Sequence, residues 1–286
     1  MNERELNFTG NKPLLYLVAT PIGNLSEFSP RALEIVKEMD FIAAEDTRHS
    51  GELLASFGIK KAMISCHEHN EEEAASKIIA LLKEGKRIAY MSDAGYPAIS
   101  DPGQRLVRRL LKEGIKVSTI SGANAALNAL AASGLDSRHF YFHGFLSAKA
   151  GERLKELEKL KQKEETLIFY EAPHRIDKTL KDLFEVFGVR EATLARELTK
   201  AHEEFIHGSL EELANIDPST LRGEMVIIVE GEKEEATSLS EEEILVLLEK
   251  RIAKGEKAKD AAGKIAEKVS LSKNQIYSIY LKRKED

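Results

Sequence analysis

Cysteine is almost absent: Cys66 is the only one in 286 residues. That excludes an intrachain disulfide and fits a reducing cytoplasm. No apolar run approaches the length of a membrane span, so no membrane is expected as a partner. Met1 to Lys12 is polar and lacks the apolar stretch of a signal peptide. No Cys/His group has zinc-ligand spacing, and no metal site is expected. Gly-x-Gly does not occur, which removes the dinucleotide fingerprint. Gly-Lys-Ser/Thr and Gly-x-Ser-x-Gly are missing too, which removes the P-loop and the hydrolase nucleophile elbow.

What the chain has is enough apolar residue, 42%, for a sizeable core, and 31% charged residue to keep it soluble. The length suits two domains and an appendage. Net charge is −6, yet residues 250–284 hold eleven Lys and Arg against three acids. A basic tail on an acidic body points to a polyanionic partner; a solvated helical face is the other reading.

The chain is organised around Met91 to Gly103, thirteen residues with two glycines and two prolines. A strand-like run precedes this loop, and Leu106, Leu110 and Leu111 follow at helical spacing. Ligands of open α/β sheets bind just past the carboxyl ends of strands, and long ordered loops tend to be functional. Strands are predicted at 14–19, 41–44, 62–65, 87–91 and 116–120, with helices between them at 31–39, 71–82 and 104–112 and a further one at 125–133. Such alternation predicts a parallel α/β sheet over residues 1–136. A second α/β domain, with a mixed sheet, is predicted over 137–232. Its strands fall at 140–143, 167–170, 192–195, 204–207 and 225–230, with helices at 149–160 and from 176 to 187. A linker and a basic helical module complete the chain over 233–286, with helices at 241–253, 257–268 and 272–282.

Six polar clusters sit at the ends of predicted strands: 20–24, 45–49, 92–101, 121–125, 171–175 and 196–200. Four belong to one sheet and two to the other, so a small-molecule or cofactor cleft between the domains is expected. Glu45 and Asp46 are adjacent, and at most one faces the crevice from an extended segment. A carboxylate there either accepts a proton or starts a helix against its dipole. Arg48, Arg175 and Lys200 are candidate phosphate ligands. The histidines read as polar lining.

Taken together, Leu17 to Leu25, Ala44 to Arg48, Ser92 to Gly103, Ser121 to Ala125, Tyr170 to Arg175, Arg196 to Lys200 and Gly223 to Met225 resemble the tetrapyrrole methylase superfamily. Within it they are similar to the branch that acts on small-subunit ribosomal RNA. The resemblance covers residues 14–231. It implies two αβα domains with S-adenosylmethionine in the cleft between them, a homodimer, and 2′-O-ribose methylation of a cytidine in the decoding region of 16S rRNA, free or in the 30S subunit. It implies cofactor contacts at Pro21, Ser92, Asp93, Gly95, Ile99, Asn124, Ala125, Glu171 and Leu198. Asp46 matches an acidic position that accepts a proton in the tetrapyrrole-building members, with Glu45 as second choice. Arg48, Arg175 and Lys200 would hold RNA phosphates. Ser92-Asp93-Ala94-Gly95 departs from the Gly-Gly-Asp-Pro of many tetrapyrrole enzymes, which argues against a porphyrin-like substrate. Rival readings are a methylase of a small tetrapyrrole or of a protein side chain, and a ribosome-associated binding protein without catalysis.

Overall fold

A computed structural model describes residues 14–233, 239–266, 269 and 271–285. The polar start at 1–12, most of the linker and the end of the helix expected at 257–268 lie outside the described residues. Contacts divide the chain into one compact unit ending at Glu230 and a second beginning at Gly231.

The first unit holds two five-stranded sheets. Strands β1 (Leu14–Val18), β2 (Phe41–Ala44), β3 (Ala62–Ser65), β4 (Ile88–Met91) and β5 (Lys116–Ile120) run parallel in the order β3-β2-β4-β1-β5. The inner strands β2, β4 and β1 are nearly continuous apolar runs because both faces are covered. Helices α1 (Pro30–Glu38) and α2 (Thr47–Ser56) supply Ala32, Val36 and Leu54 to the face formed by Val18, Ile42, Ala89 and Met91. Helices α3 (Glu71–Lys83) and α4 (Gln104–Lys112) supply Ile78, Leu82, Leu106 and Leu110 to the face of Leu15, Leu17, Ile88 and Tyr90. Alternate residues of β1 and β4 therefore serve opposite layers, as the strand period requires.

Ser29 and Pro30 start α1 as read from sequence, with the Ser29 hydroxyl accepting from Ala32 N at 3.1 Å. Helix α2 enters the sequence reading only as the alternative in which a carboxylate at 45–46 starts a helix. Its sequence carries a central Gly51 and only two buried residues, Ser50 and Leu54, so the apolar period is faint.

Helix α5 (Ala125–Ala132) leaves β5 but turns its apolar side to the second sheet. Ala126, Ala129 and Leu130 pack on Ile168, Ala195, Val226 and Ile228. That sheet comprises β6 (Phe140–Phe145), β7 (Thr166–Glu171), β8 (Glu191–Arg196), β9 (Glu204–Ser209) and β10 (Met225–Val229), in the order β6-β7-β10-β8-β9. The β6–β7 pair is parallel and the others are antiparallel, giving the mixed sheet expected. Its far face is covered by α6 (Ala150–Leu160), α7 (Ile176–Phe187) and the short α8 (Leu210–Ala214), which the sequence reading lacked.

In the second unit, α9 (Glu241–Ile252), α10 (Ala258–Ala266) and α11 (Lys273–Glu285) enclose Ile244, Leu248, Ala261, Ile265, Ile276 and Ile279. Ser240 and Glu243 form a capping box on α9. Ser272 starts α11, its hydroxyl accepting from Gln275 N at 3.4 Å.

Candidate active site

The loops after β1 and β4 are tied to each other. Thr20 N donates to Gly95 O at 2.9 Å and Gly95 N returns a bond to Thr20 O at 3.1 Å. The Ser92 hydroxyl donates to Gly95 O at 3.3 Å, and Thr20 Oγ1 donates to Ser92 O at 3.2 Å. The far end of the loop is pinned from the core: the buried Tyr90 hydroxyl donates to Pro102 O at 3.1 Å. Gly103 has φ 129°, and a Cβ there would lie 2.7 Å from the Tyr90 ring, so no other residue fits.

Among the described residues, four non-glycine residues have positive φ: Ala98 at 69°, Ser100 at 61°, Glu197 at 51° and Thr199 at 68°. All four lie on two loops, after β4 and after β8. Each such residue costs about 1–3 kcal/mol, and strain of this kind gathers where a ligand is clamped.

Those loops wall a cavity of about 270 Å³. Ile22, Ala94 to Tyr96 and Ile99 to Asp101 line it from the first sheet's loops, and Asn124 and Ala125 from the start of α5. Phe145, Tyr170 to Pro173, Leu198 and Glu224 to Val226 line it from the second sheet. Asn124 caps α5 by accepting from Leu127 N at 2.8 Å. The Tyr96 hydroxyl accepts from Gly122 N at 3.2 Å and the Tyr170 hydroxyl from Ala126 N at 3.3 Å, so phenols from both sheets' strand ends hold the β5–α5 turn. Burial, with Glu45 and Asp93 close by, pushes the Asp101 carboxyl up to about 6.

Six of the nine expected cofactor residues line this cavity: Gly95, Ile99, Asn124, Ala125, Glu171 and Leu198. Ser92 is buried beneath it as a loop anchor. Pro21 and Asp93 line an adjoining groove of about 420 Å³, with Gly23, Leu25, Glu52, Ser56 and others. Ile22, Ala94 and Glu224 are common to cavity and groove. His49, Glu52, Leu53 and Ser56 line the groove from α2, at the i, i+3, i+4, i+7 spacing of one helix face.

Asp46 is the N-cap of α2: its carboxylate accepts from Arg48 N at 2.8 Å and His49 N at 3.5 Å, and these bonds hold it below the usual carboxylate range. Neither it nor Glu45 lines the cavity or the groove. Glu45 is pushed up by burial and by Asp93. The three candidate RNA cations are not brought together. Arg48 is 89% exposed beside Asp46. Arg175 is turned inward, its Nε donating to the buried Glu171 carboxylate at 2.7 Å and its Nη1 to Leu146 O at 3.3 Å. That carboxylate also accepts from Ala172 N at 2.7 Å and Thr179 Oγ1 at 2.6 Å, so Arg175 is committed to fixing Glu171. Lys200 Nζ pairs with Glu197 at 2.9 Å and Glu224 at 3.7 Å, and its stem lies where a Cβ on Gly23 would sit.

Glu224 to Val226 were not among the expected contacts. Glu224 precedes β10 and the other two begin it; the strand runs antiparallel to β7 and β8 and pairs Met225 with Glu171 and Arg196. Its amino end thus meets the cleft, whereas the strand-end rule looks at carboxyl ends. The signal that points to it is Gly223-Glu224-Met225: a Cβ on Gly223, φ 81°, would run into the Glu197 carboxylate.

The family model described as Tetrapyrrole (Corrin/Porphyrin) Methylases matches residues 14–214. The ribosomal RNA small subunit methyltransferase I of Bacillus subtilis (strain 168) is 44% identical over 290 residues, covering 98% of this chain and 99% of that protein. The protein of the same name from Halalkalibacterium halodurans is 46% identical, covering 94% and 95%. Among solved structures, the cobalamin biosynthetic enzyme cobalt precorrin-4 methyltransferase superposes with a TM-score of 0.56 at 16% identity, covering 76% of this chain and 94% of that one. The methyltransferase CobJ gives 0.58 at 18% identity, covering 76% and 93%. These two carry the fold, and the curated relatives carry the branch: the chain belongs to the tetrapyrrole methylases, among the ribosomal RNA small subunit methyltransferases I.

Proposed function

We propose that this chain methylates the 2′-hydroxyl of a cytidine in the decoding region of 16S rRNA. Methylases of this family draw on S-adenosylmethionine, which supplies a methyl group already activated on a positive sulfonium. The observation that carries the reading is the two-sheet cavity, with its strained loops and its mixed lining. The buried Leu198, Met225 and Val226 offer an aromatic base a dry wall, and Asp101 offers a cation an opposite charge. Gly95, Asn124, Ala125 and Glu171 stand where the donor would be held, and Ser92 stiffens the loop beneath. The protein's part in the transfer is alignment, with reacting atoms about 3–3.5 Å apart.

Two further elements belong to this reading. The second unit places Lys250, Lys254, Lys257 and Lys259 on exposed positions, a source of sequence-independent affinity for RNA. A homodimer is supported by Ile99, Leu127 and Phe140, which are 47%, 51% and 42% exposed and share the lining of one shallow cavity. An apolar patch of this kind marks a protein contact. The substrate makes the site of action the cytoplasm; no helix among the described residues is long and apolar enough to cross a membrane.

The test is methyl transfer from labelled S-adenosylmethionine to small ribosomal subunits that lack the modification, with nuclease mapping of the label. Label on one 2′-O-methylcytidine is expected. Label on a base refutes the ribose chemistry. Absence of label with the donor bound refutes the RNA substrate.

A further inference from the structure

The adjoining groove has no assigned occupant. It shares Ile22, Ala94 and Glu224 with the donor cavity, so molecules seated in the two meet across that wall. Transfer requires such a meeting, because donor and acceptor atoms must come within about 3–3.5 Å. Pro21, Leu25 and Leu53 give the groove apolar surface for a base. Its ionisable lining is His49, Glu52, Asp93 and Glu224, with no Lys or Arg. An acid-lined groove disfavours a tetrapyrrole that carries carboxylates. It accepts an uncharged nucleoside and leaves the phosphates outside.

Resting on the 2′-O-methylation reading, we propose that the acceptor nucleoside lies in this groove and that Asp93 takes the proton from its hydroxyl. Asp93 is the next residue to Ala94, part of the shared wall. Its Oδ1 accepts from Asp46 N at 3.3 Å, which fixes the carboxylate, and its other oxygen meets no donor among the described residues. The remaining acids facing this region are less suited. Asp46 is spent on the α2 cap, Glu45 and Asp101 do not line the groove, and Glu224 is 78% exposed beside Lys200. His49 and Glu52 sit on α2 and are not part of the shared wall. In the step, the 2′-oxygen forms a bond to the methyl carbon while its proton passes to the Asp93 carboxylate. The carbon–sulfur bond breaks with its electron pair going to sulfur, leaving a neutral thioether. Asp93 then returns the proton to water.

The experiment measures single-turnover methylation of unmodified small subunits at pH 7 and saturating S-adenosylmethionine, with donor affinity read separately by titration calorimetry. Saturation removes the effect of Asp101 on donor binding. Asp93→Asn keeps the acceptor oxygen for Asp46 N. It is expected to lower the rate by about 10²–10⁴-fold, with donor affinity unchanged. Asp93→Glu, the second variant, keeps a carboxylate and is expected to recover about tenfold or more over Asp93→Asn. Asp93→Asn within about threefold of wild type overturns the inference, as does Asp93→Glu no faster than Asp93→Asn. The competing assignment is read from Asp46→Asn, which preserves a helix cap. A loss of about 10²-fold or more there, with Asp93→Asn within about threefold of wild type, returns the role to Asp46 and overturns the inference. No ribose label from the wild-type protein overturns the underlying reading instead, which separates the two failures.

Discussion

Donor binding should weaken in mild acid, and Asp101 should be the cause. Its carboxyl sits at about 6, raised by burial, by Glu45 and by Asp93, while the Ser92 hydroxyl pulls the other way. If the cationic donor binds only the ionised form, the competent fraction is about nine-tenths at pH 7 and about one-tenth at pH 5. The apparent Kd therefore rises about tenfold over that interval, about 1.4 kcal/mol. Stability of the donor-free protein moves in the opposite direction to that of an ordinary salt-bridged aspartate. The folded pKa lies above the unfolded one, so the folded chain binds more protons between about pH 4 and 6. Its contribution is present below that window and is lost as pH rises through 6. Asp101→Asn should flatten the pH dependence of donor affinity and raise the melting temperature of the donor-free protein at pH 7. Titration calorimetry at pH 5, 6 and 7, with thermal melts of both proteins, checks this. A tenfold change that survives in Asp101→Asn, or a flat wild-type profile, refutes the electrostatic account.

Gly103→Ala should destabilise the fold by about 2–3 kcal/mol in urea unfolding, since its Cβ meets the Tyr90 ring and its φ is left-handed. Glu171→Ala should cost about 3–5 kcal/mol, because it strips the partner from the inward-turned Arg175 guanidinium; chemical denaturation reads it. Replacing Lys250, Lys254 and Lys257 with Gln should lower the slope of log affinity against log salt by about 0.7–0.9 for each phosphate no longer neutralised, measured by filter binding to small-subunit RNA. An unchanged slope would remove the second unit from RNA binding.

Most of the framework was legible because the signals were redundant. Leu14 to Val18 and Ile88 to Met91 are strands that only a doubly covered parallel sheet explains, and Ser29-Pro30 starts a helix by two separate rules. The long loop at 91–103 proved to be a wall of the cavity. What stayed hidden depended on neighbours distant in sequence. Helix α2 has little apolar period, so the sequence left Asp46 open between a candidate base and a helix start, and its carboxylate caps that helix. Arg175 looked like a free cation because nothing in its neighbourhood shows that Glu171 is buried. The amino end of β10 escaped because strand direction in a mixed sheet is a property of pairing.

Helix α5 ends a β–α unit of the first sheet yet serves as a cover for the second. It acts as a rivet through both halves. Cutting the chain near residue 136 would strand Leu130 and Ala129 on one fragment and bare Ile168 and Val226 on the other. The halves are therefore not interchangeable modules, and the slot between them has a width set during folding. Adjustment of the slot falls to the loops that line it.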